Sequence, residues 1–280
     1  MYINRLASTL PRQQPLHRFH LAPSDTLTTL FLAAHPQPPT MPMFFPGEHV
    51  GYDAWAASEA YHAKYLLGEP DPALAFAVEN SKKNGLLDIA VSAPQGKYLH
   101  LLVRALKARR VLEVGTLGAY STIWMARGLP ADGKLKTFEL NEKTAAVAKE
   151  NIAHAGLTDR VEVIIGPAEK SLAEMKGAEE GSYDFAFIDA FMVNNVTYMK
   201  ECKRLVKSGG VIIVDNIVQN GLVADEARSS ALKAAGEETS YIESGRELLQ
   251  YLQSDPDLDA TTVPTADSRG FDGWHFVLRK

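Results

Sequence analysis

The sequence predicts an α/β protein with a central, mostly parallel β-sheet, and three observations support this prediction. Short apolar runs alternate with helical patterns between residues 111 and 214. A glycine-containing turn follows the first run, and acidic residues stand at the ends of later runs. Open α/β sheets bind ligands at the carboxyl ends of their strands, so these positions also indicate where the functional site lies.

The first 47 residues differ from the rest in composition. They hold eight of the fifteen prolines, three arginines and one acid, Asp25. Each proline removes an amide donor and restricts its neighbour, which argues against a packed element. We expect residues 1–47 to be a Pro-rich, disordered extension and residues 48–280 to form one domain. A mitochondrial transit peptide, or a start at Met41 or Met43, is the alternative for the extension.

Three helices are predicted before the sheet, because apolar residues recur there at three- and four-residue spacing. They span residues 54–67, 72–82 and 94–106. Parallel strands with crossover helices follow, at residues 111–114, 136–139, 161–165, 185–188 and 211–214. Two last apolar runs, 260–263 and 274–278, have no full helix between them and predict an antiparallel hairpin that closes a seven-stranded sheet.

The composition favours an enzyme that acts on a small molecule. With 46% hydrophobic and 22% charged residues among 280, the chain can bury one substantial core. The net charge of -5 offers no basic face for a phosphate backbone, so we expect no nucleic-acid partner. Cys202 is the sole cysteine, and no apolar run approaches the roughly 20 residues of a membrane span. We therefore expect no membrane partner and a cytoplasmic location, with the mitochondrion as the alternative.

The turn after the first strand predicts a nucleoside-cofactor site. Glu113 stands two residues before Gly115, where a dinucleotide-binding loop would have glycine. A carboxylate there suits a cationic, amino-acid-bearing cofactor and would repel a pyrophosphate. Glu139 ends the next strand, 21 residues after Gly118, where a carboxylate accepts hydrogen bonds from ribose. An exposed acid ahead of a helix is the alternative interpretation of Glu139.

Asp189, Asp215 and Asn216 predict a metal site at the ends of two later strands. Oxygen ligands without sulfur or imidazole suit hard cations such as Mg²⁺, Mn²⁺ or Ca²⁺. Taken singly, the acids would merely end strands and Asn216 would start a turn. Their joint occurrence downstream of the cofactor loop favours the metal site.

Several segments between Trp55 and Lys280 together resemble one known family. They are residues 91–96, 112–122, 166–168, 187–190 and 209–216. The chain resembles the cation-dependent class I O-methyltransferases that use S-adenosylmethionine, typified by caffeoyl-coenzyme A O-methyltransferase and distantly by catechol O-methyltransferase. The resemblance implies a Rossmann-like class I methyltransferase fold with helices on both sheet faces, a catechol-like aromatic substrate and a homodimer.

The resemblance also implies a role for each candidate site residue. Asp189 would be the catalytic residue, a metal ligand and a cofactor contact, with Asp215 and Asn216 completing the metal site. Asn220 falls where some members touch the substrate. The other cofactor contacts would be Val91, Glu113, Gly115, Thr116, Ser121, Glu139 and Ala168, of which Glu139 would hold the ribose and Val91 and Ala168 would act through their backbone.

Two departures from the family pattern bear on activity. Ala119 stands where the family usually has glycine, which predicts a permissive but altered turn. Phe191 and Met192 stand where an acid and a lysine are common, and the lysine is the expected general base. Since Met192 cannot accept a proton, either the metal alone acidifies the hydroxyl, another group has taken over, or activity is weak or redirected. Phe191 and Met192 would alternatively form an apolar wall over an aromatic acceptor.

Three functional hypotheses follow from the sequence. The first is a metal-dependent O-methyltransferase acting on a vicinal dihydroxy aromatic. The second is an NAD(P)-dependent oxidoreductase, which Glu113 disfavours because the expected first glycine is absent. The third is a relative that binds the cofactor but has lost its chemistry, and Met192 is the reason to consider it.

Overall fold

Helices and strands alternate along the chain as the sequence predicts. The computed structural model describes residues 51–267 and 270–280. The predicted extension at residues 1–47, together with its transit-peptide and start-site alternatives, lies outside the described residues. The elements are, in order, α1 Tyr52–Leu66, α2 Pro72–Lys83, α3 Ala93–Ala105, β1 Arg110–Val114, α4 Tyr120–Gly128, β2 Lys134–Glu139, α5 Glu142–His154, β3 Val161–Ile165, α6 Ala168–Glu174, β4 Tyr183–Ile188, α7 Asn195–Leu205, β5 Val206–Val214, α8 Glu226–Ala234, α9 Ser240–Ser254, β6 Leu258–Asp267 and β7 Gly270–Arg279.

The strands form one seven-stranded sheet in the order β3-β2-β1-β4-β5-β7-β6. The first five strands pair in parallel, β7 pairs antiparallel with β5, and β6 pairs antiparallel with β7. The predicted mostly parallel sheet with a C-terminal antiparallel hairpin is therefore confirmed. The chain moves outward from β1 to β3 and then returns to place β4 on the other side of β1. This change of direction is the place where open α/β sheets form a ligand crevice.

Side chains of alternate strand residues form a core on each face of the sheet. Val111 and Phe185 pack with α2, α3, α4 and α5, whereas Leu112 and Ile188 pack with α6, α7 and α9. Burying each large side chain contributes about 1.5 to 3 kcal/mol, so both helical layers are held chiefly by apolar burial. The predicted helices on both faces are confirmed. Cys202 belongs to the second core, where burial raises the pKa of its thiol to about 12, so it is a packing residue.

Within residues 51–267 and 270–280, no helix combines the length and the apolar character needed to cross a bilayer.

Candidate active site

The positions that end or follow the central strands lie in one row across the sheet. Val114 is paired with Phe138 on one side and with Ile188 on the other, and Ile188 is paired with Val214. The amides of Gly115, Asp189 and Asp215, which directly follow β1, β4 and β5, donate hydrogen bonds of 2.8 to 3.0 Å to the neighbouring strand and so continue each ladder. The resulting row is Glu139, Gly115, Asp189 and Asp215.

All members of this row lie on one face of the sheet. Side chains alternate along a strand, so Glu113 and Gly115 share the face of Val111, which is covered by α2 to α5. Asp189 likewise shares a face with Phe187, and Asp215 with Ile213, and both of these apolar residues belong to the same core. The sheet therefore brings the predicted cofactor carboxylates and the predicted metal carboxylates to the same edge and the same face.

Glu113 is fully buried at the base of the loop between β1 and α4. Its two oxygens accept hydrogen bonds of 2.5 Å from the hydroxyls of Ser121 and Thr122, in the first turn of α4. Burial raises the pKa of Glu113 to about 7, and the nearby charge of Asp189 adds to the rise while the hydroxyls oppose it. The carboxyl group is held in one orientation, and the Ser121 hydroxyl is committed to it.

The backbone of the loop after β1 adopts left-handed angles at residues other than glycine. Leu117 has φ 49° and Ala119 has φ 62°, whereas Gly115 has φ 99°. The permissive turn predicted at Ala119 is thus present, at a cost of about 1 to 2 kcal/mol for a residue with a Cβ atom. The hydroxyl of Thr116 is buried and lies 2.6 Å from that of Thr137. The Thr116 side chain therefore has a hydrogen-bond partner within the protein.

Glu139 closes the loop from the end of β2. One oxygen accepts the Leu117 amide at 2.9 Å and the other accepts the Asn141 amide at 3.0 Å. The residue is only partly exposed, and both of its oxygens accept backbone amides. A carboxylate has about four acceptor positions, and two remain for the hydroxyls of a ribose.

Val91 and Ala168 each lie beside a helix start and are buried. Ser92 caps α3, since its amide donates to the Gln95 side chain at 2.8 Å and its hydroxyl accepts the Gln95 amide. This capping box fixes the backbone directly after Val91. Ala168 begins α6, three residues after the end of β3, and the intervening Gly166 donates its amide to the Glu139 carbonyl at 2.9 Å.

Asp189 and Asp215 form a pair of neighbouring carboxylates. Asp215 is buried, and burial followed by the charge of Asp189 raises its pKa well above the usual range. The amide of Asn216 donates to Asp215 at 2.7 Å, and the backbone of Asn216 is left-handed with φ 59°. Within residues 51–267 and 270–280, no three or more His, Cys, Asp or Glu side chains are grouped to hold a metal ion. The predicted set has two carboxylates and an amide, and its repelling carboxylates fit a hard divalent cation.

The loop after β5 is held against the start of β7 by long-range contacts that no sequence motif predicts. Asp272 accepts the amides of Val218 and Gln219 at 2.8 and 3.0 Å. The side-chain oxygen of Asn220 accepts the Phe271 amide at 3.0 Å. Asn220 itself is exposed at the candidate substrate side. No local signal marks Asp272, because its partners lie more than 50 residues earlier in the chain.

Met192 contacts the same loop. Its sulfur accepts the Gln219 side-chain amide at 2.9 Å, and its carbonyl accepts the Ser244 hydroxyl at 2.7 Å. Gln219 is buried and also donates to the Asn216 carbonyl at 3.0 Å, so it links Met192 to the candidate metal site. The neighbouring Phe191 is 69% exposed. Its ring is free of packing against the core and can meet a bound molecule.

Comparison with known proteins places the chain in a family. The sequence model described as O-methyltransferase matches residues 68–270. A catechol O-methyltransferase of Mycobacterium tuberculosis is 43% identical over 220 residues, which are 79% of this chain and 94% of the relative. The crystal structure of an O-methyltransferase from Bacillus cereus in complex with SAH is 36% identical, has a TM-score of 0.75, and is matched over 82% of this chain and all of the other.

A second solved structure gives the same result. TomG, an O-methyltransferase from Streptomyces achromogenes crystallised in complex with SAM, is 34% identical with a TM-score of 0.75. The match covers 83% of this chain and 100% of TomG. The family match spans most of the chain and includes the cofactor loop, Asp189, Asp215 and Asn216. The resemblance drawn from the motifs is therefore confirmed, and the chain belongs to the O-methyltransferase family.

Proposed function

We propose that this protein transfers a methyl group from S-adenosylmethionine to a hydroxyl of a catechol-like aromatic molecule, with a divalent cation assisting. The observation that carries the proposal is the row of Glu139, Gly115, Asp189 and Asp215, in which the loop after β1 and an acidic pair lie side by side. The named activity of the Mycobacterium tuberculosis relative and the SAH and SAM in two structural neighbours support it.

The cofactor half of the proposal rests on Glu113 and Glu139. S-adenosylmethionine carries an ammonium group and a sulfonium, so a buried carboxylate at Glu113 attracts its amino-acid end. Glu139 accepts from the ribose hydroxyls with the acceptor positions that Leu117 and Asn141 leave open. Gly115 lets the strand end approach the ligand, and Val91, Thr116 and Ala168 contribute backbone surface.

The metal half rests on the acidic pair. Asp189, Asp215 and Asn216 would hold a cation such as Mg²⁺, Mn²⁺ or Ca²⁺ through oxygen atoms alone. When bound, the cation would stabilise an ionised hydroxyl, which matters because a phenol titrates near pH 10. Asp189 has a further part in the proposal. As the member of the acidic pair that adjoins the cofactor half, it is the candidate acceptor of the hydroxyl proton.

The reaction is an in-line displacement. The acceptor oxygen loses its proton and forms a bond to the methyl carbon, while the sulfur takes the electron pair of the broken carbon–sulfur bond and becomes a neutral thioether. Holding the oxygen and the methyl group in contact supplies much of the acceleration. The exposed ring of Phe191 offers an apolar surface to the acceptor.

A second candidate function is favoured by Met192, which stands where the family usually has its base. The Met192 thioether cannot accept the hydroxyl proton, and it already accepts a hydrogen bond from Gln219. In that case the protein binds the cofactor but has weak, redirected or lost activity. An oxidoreductase is not proposed, because the carboxylate charge of Glu113 would repel a pyrophosphate.

We also propose a homodimer formed partly through α1. Tyr61, Tyr65 and Leu66 are each more than 60% exposed there, which leaves an apolar surface on one chain. Sedimentation at micromolar concentration measures the state of association. A monomer would contradict this part of the proposal.

A methyl-donor assay tests the proposed function. The purified protein is given S-adenosylmethionine and a panel of catechols, flavonoids and hydroxycinnamoyl esters, with and without chelator. We expect turnover of a vicinal dihydroxy acceptor that stops with chelator and returns with Mg²⁺ or Mn²⁺. Asp215→Asn, which keeps the shape but removes the charge, should abolish turnover, whereas Asp257→Asn at an exposed site should not.

Two other results would decide against parts of the proposal. Full activity in chelator and in Asp215→Asn would mean that the carboxylates only end strands and that no metal is needed. Tight cofactor binding without turnover of any acceptor would favour the non-catalytic relative.

A further inference from the structure

A buried polar cluster joins α2, α5 and the loop after β1. Asn151, in the third turn of α5, has no exposed surface. Its side-chain amide donates to the carbonyl of Gly118 at 2.9 Å and lies within 3.4 Å of the Ser81 hydroxyl and the Ala77 carbonyl of α2. Its oxygen accepts the side-chain amide of Asn80 at 2.9 Å. A single side chain thus joins α5, α2 and the loop.

The bond to Gly118 lies at the most constrained part of the loop. The residues on either side, Leu117 and Ala119, both have left-handed backbone angles that a side chain disfavours. Such angles persist only when the surroundings determine them. Glu139 holds the Leu117 amide from one side, and Asn151 holds the Gly118 carbonyl from the other.

The cluster depends on the close approach of α2 to the loop at Gly118. A Cβ atom at Gly118 would lie 2.1 Å from the Ser81 hydroxyl oxygen, so glycine is what lets α2 pack against the loop. The space between α2, α5 and the loop is filled by the Asn151 amide. Removing its donor would leave the buried Gly118 carbonyl without this partner, and the constrained loop would lose one of its two supports.

We propose that Asn151 is a positioning residue that fixes the cofactor loop through the Gly118 carbonyl and so sets the affinity for S-adenosylmethionine without touching it. The proposal rests on the proposed function of the loop. The helix α5 then supports the proposed cofactor site at two places. Asn151 holds the loop, and Asn141, which caps the start of the same helix, donates its amide to Glu139.

The test compares Asn151→Asp with Ser81→Ala in the full chain. Asn151→Asp keeps the shape but faces the Gly118 carbonyl with an oxygen, whereas Ser81→Ala removes only the longer 3.3 Å contact and keeps the bond to Gly118. We expect the dissociation constant for S-adenosylhomocysteine, measured by calorimetry, to rise by about tenfold or more in Asn151→Asp. The KM for S-adenosylmethionine should rise with it, while the KM for the acceptor stays unchanged. Ser81→Ala should bind like the wild type.

Hydrogen exchange of the ligand-free protein gives a second readout that a purely structural role would not produce. The amides of Leu117 and Ala119, bonded to Glu139 and to the Thr116 carbonyl, should exchange faster in Asn151→Asp while the strand amides of β1 keep their protection. If Asn151→Asp does not fold, Asn151→Leu, which has similar bulk and no donor, takes its place in both measurements.

Unchanged affinity together with unchanged loop exchange would overturn the proposal, as would an equal loss of affinity in Ser81→Ala. Failure of the proposed function is recognised separately, because the wild type itself would then bind no S-adenosylhomocysteine. In that case there is no cofactor for the loop to hold, and the assignment of Asn151 falls too.

Discussion

Gly115 and the carbonyl of Asp189 are so close that a Cβ atom on Gly115 would lie 2.0 Å from the Asp189 oxygen. The end of β1 and the end of β4 therefore meet only because residue 115 has no side chain. The contact joins the cofactor half of the candidate site to the metal half, and it involves backbone on the β4 side, which cannot rotate away.

Gly115→Ala is expected to lower stability by about 2 to 5 kcal/mol, because it combines an unfavourable positive φ with overlap against backbone. Cofactor binding should be lost as well, since the loop can relieve the overlap only by moving away from β4. Gly156→Ala is the matched control: φ is 68° there, and no atom lies within 4 Å of the added Cβ. Urea unfolding and S-adenosylhomocysteine calorimetry measure both effects, and equal losses in the two variants would contradict the explanation.

Cofactor binding should release a proton near neutral pH. Burial raises the pKa of Glu113 to about 7, so part of the protein holds a neutral carboxyl before binding, and a cationic ligand favours the ionised form. Affinity should therefore fall as pH drops below 7, by at most about tenfold per pH unit. Calorimetry in two buffers of different ionisation enthalpy counts the proton. Glu113→Gln should bind more weakly and release none, and the same release in that variant would assign the proton to another group.

Met192→Lys is expected to raise turnover at neutral pH, because an amine at this position can accept the hydroxyl proton that a thioether cannot. The Ser244 hydroxyl holds the Met192 carbonyl, so the backbone of the segment should stay in place. We expect an increase of about tenfold or more, at the lower end of what a positioned base contributes. Val193→Lys, at the exposed next residue, is the control for added charge. Equal rates in the two variants would show that position 192 does not face the acceptor.

Stability should depend on pH through His275. Its ring is 2% exposed on β7, and among the described residues its Nε2 atom finds no hydrogen-bond partner. Burial lowers the pKa of His275 from 6.5 to about 4. The unfolded chain then binds a proton at a higher pH than the folded chain, so this group makes the fold less stable as pH falls from 6.5 towards 4. The effect is at most about 3 kcal/mol.

His275→Gln isolates this contribution, because other groups titrate in the same range and Glu113 acts in the opposite direction. Chemical unfolding of the two proteins across the window should give free energies of unfolding that converge as pH falls. Parallel curves would mean that His275 does not carry the dependence.

Much of the fold could be predicted from the sequence, because apolar periodicity and strand spacing are local properties. The five parallel strands and the closing hairpin lie where the runs indicate. The predicted strand ends were less exact: β2 begins at Lys134 and β4 at Tyr183, because backbone pairing extends each strand beyond its continuous apolar run.

The candidate site divides in the same way. Glu113, Glu139, Asp189 and Asp215 are visible as acids at strand ends, and the sheet brings them to one face. The residues that hold these acids and their loops in place could not be recognised in the sequence. Asn151 and Asp272 act through partners about 30 to 70 residues away in sequence, and an isolated Asn or Asp carries no periodic or motif signal that would reveal such a contact.

The boundary between β1 and β4 separates two kinds of surface that can change independently. The proposed donor side, with Glu113, Glu139 and the loop after β1, is held by hydrogen bonds within the protein. On the proposed acceptor side, Phe191 and Asn220 are exposed and lie in segments that follow other strands. A directed-evolution library confined to those segments would sample new acceptors while leaving the methyl-donor chemistry intact, so a single scaffold can supply a series of enzymes that differ only in the molecule they modify.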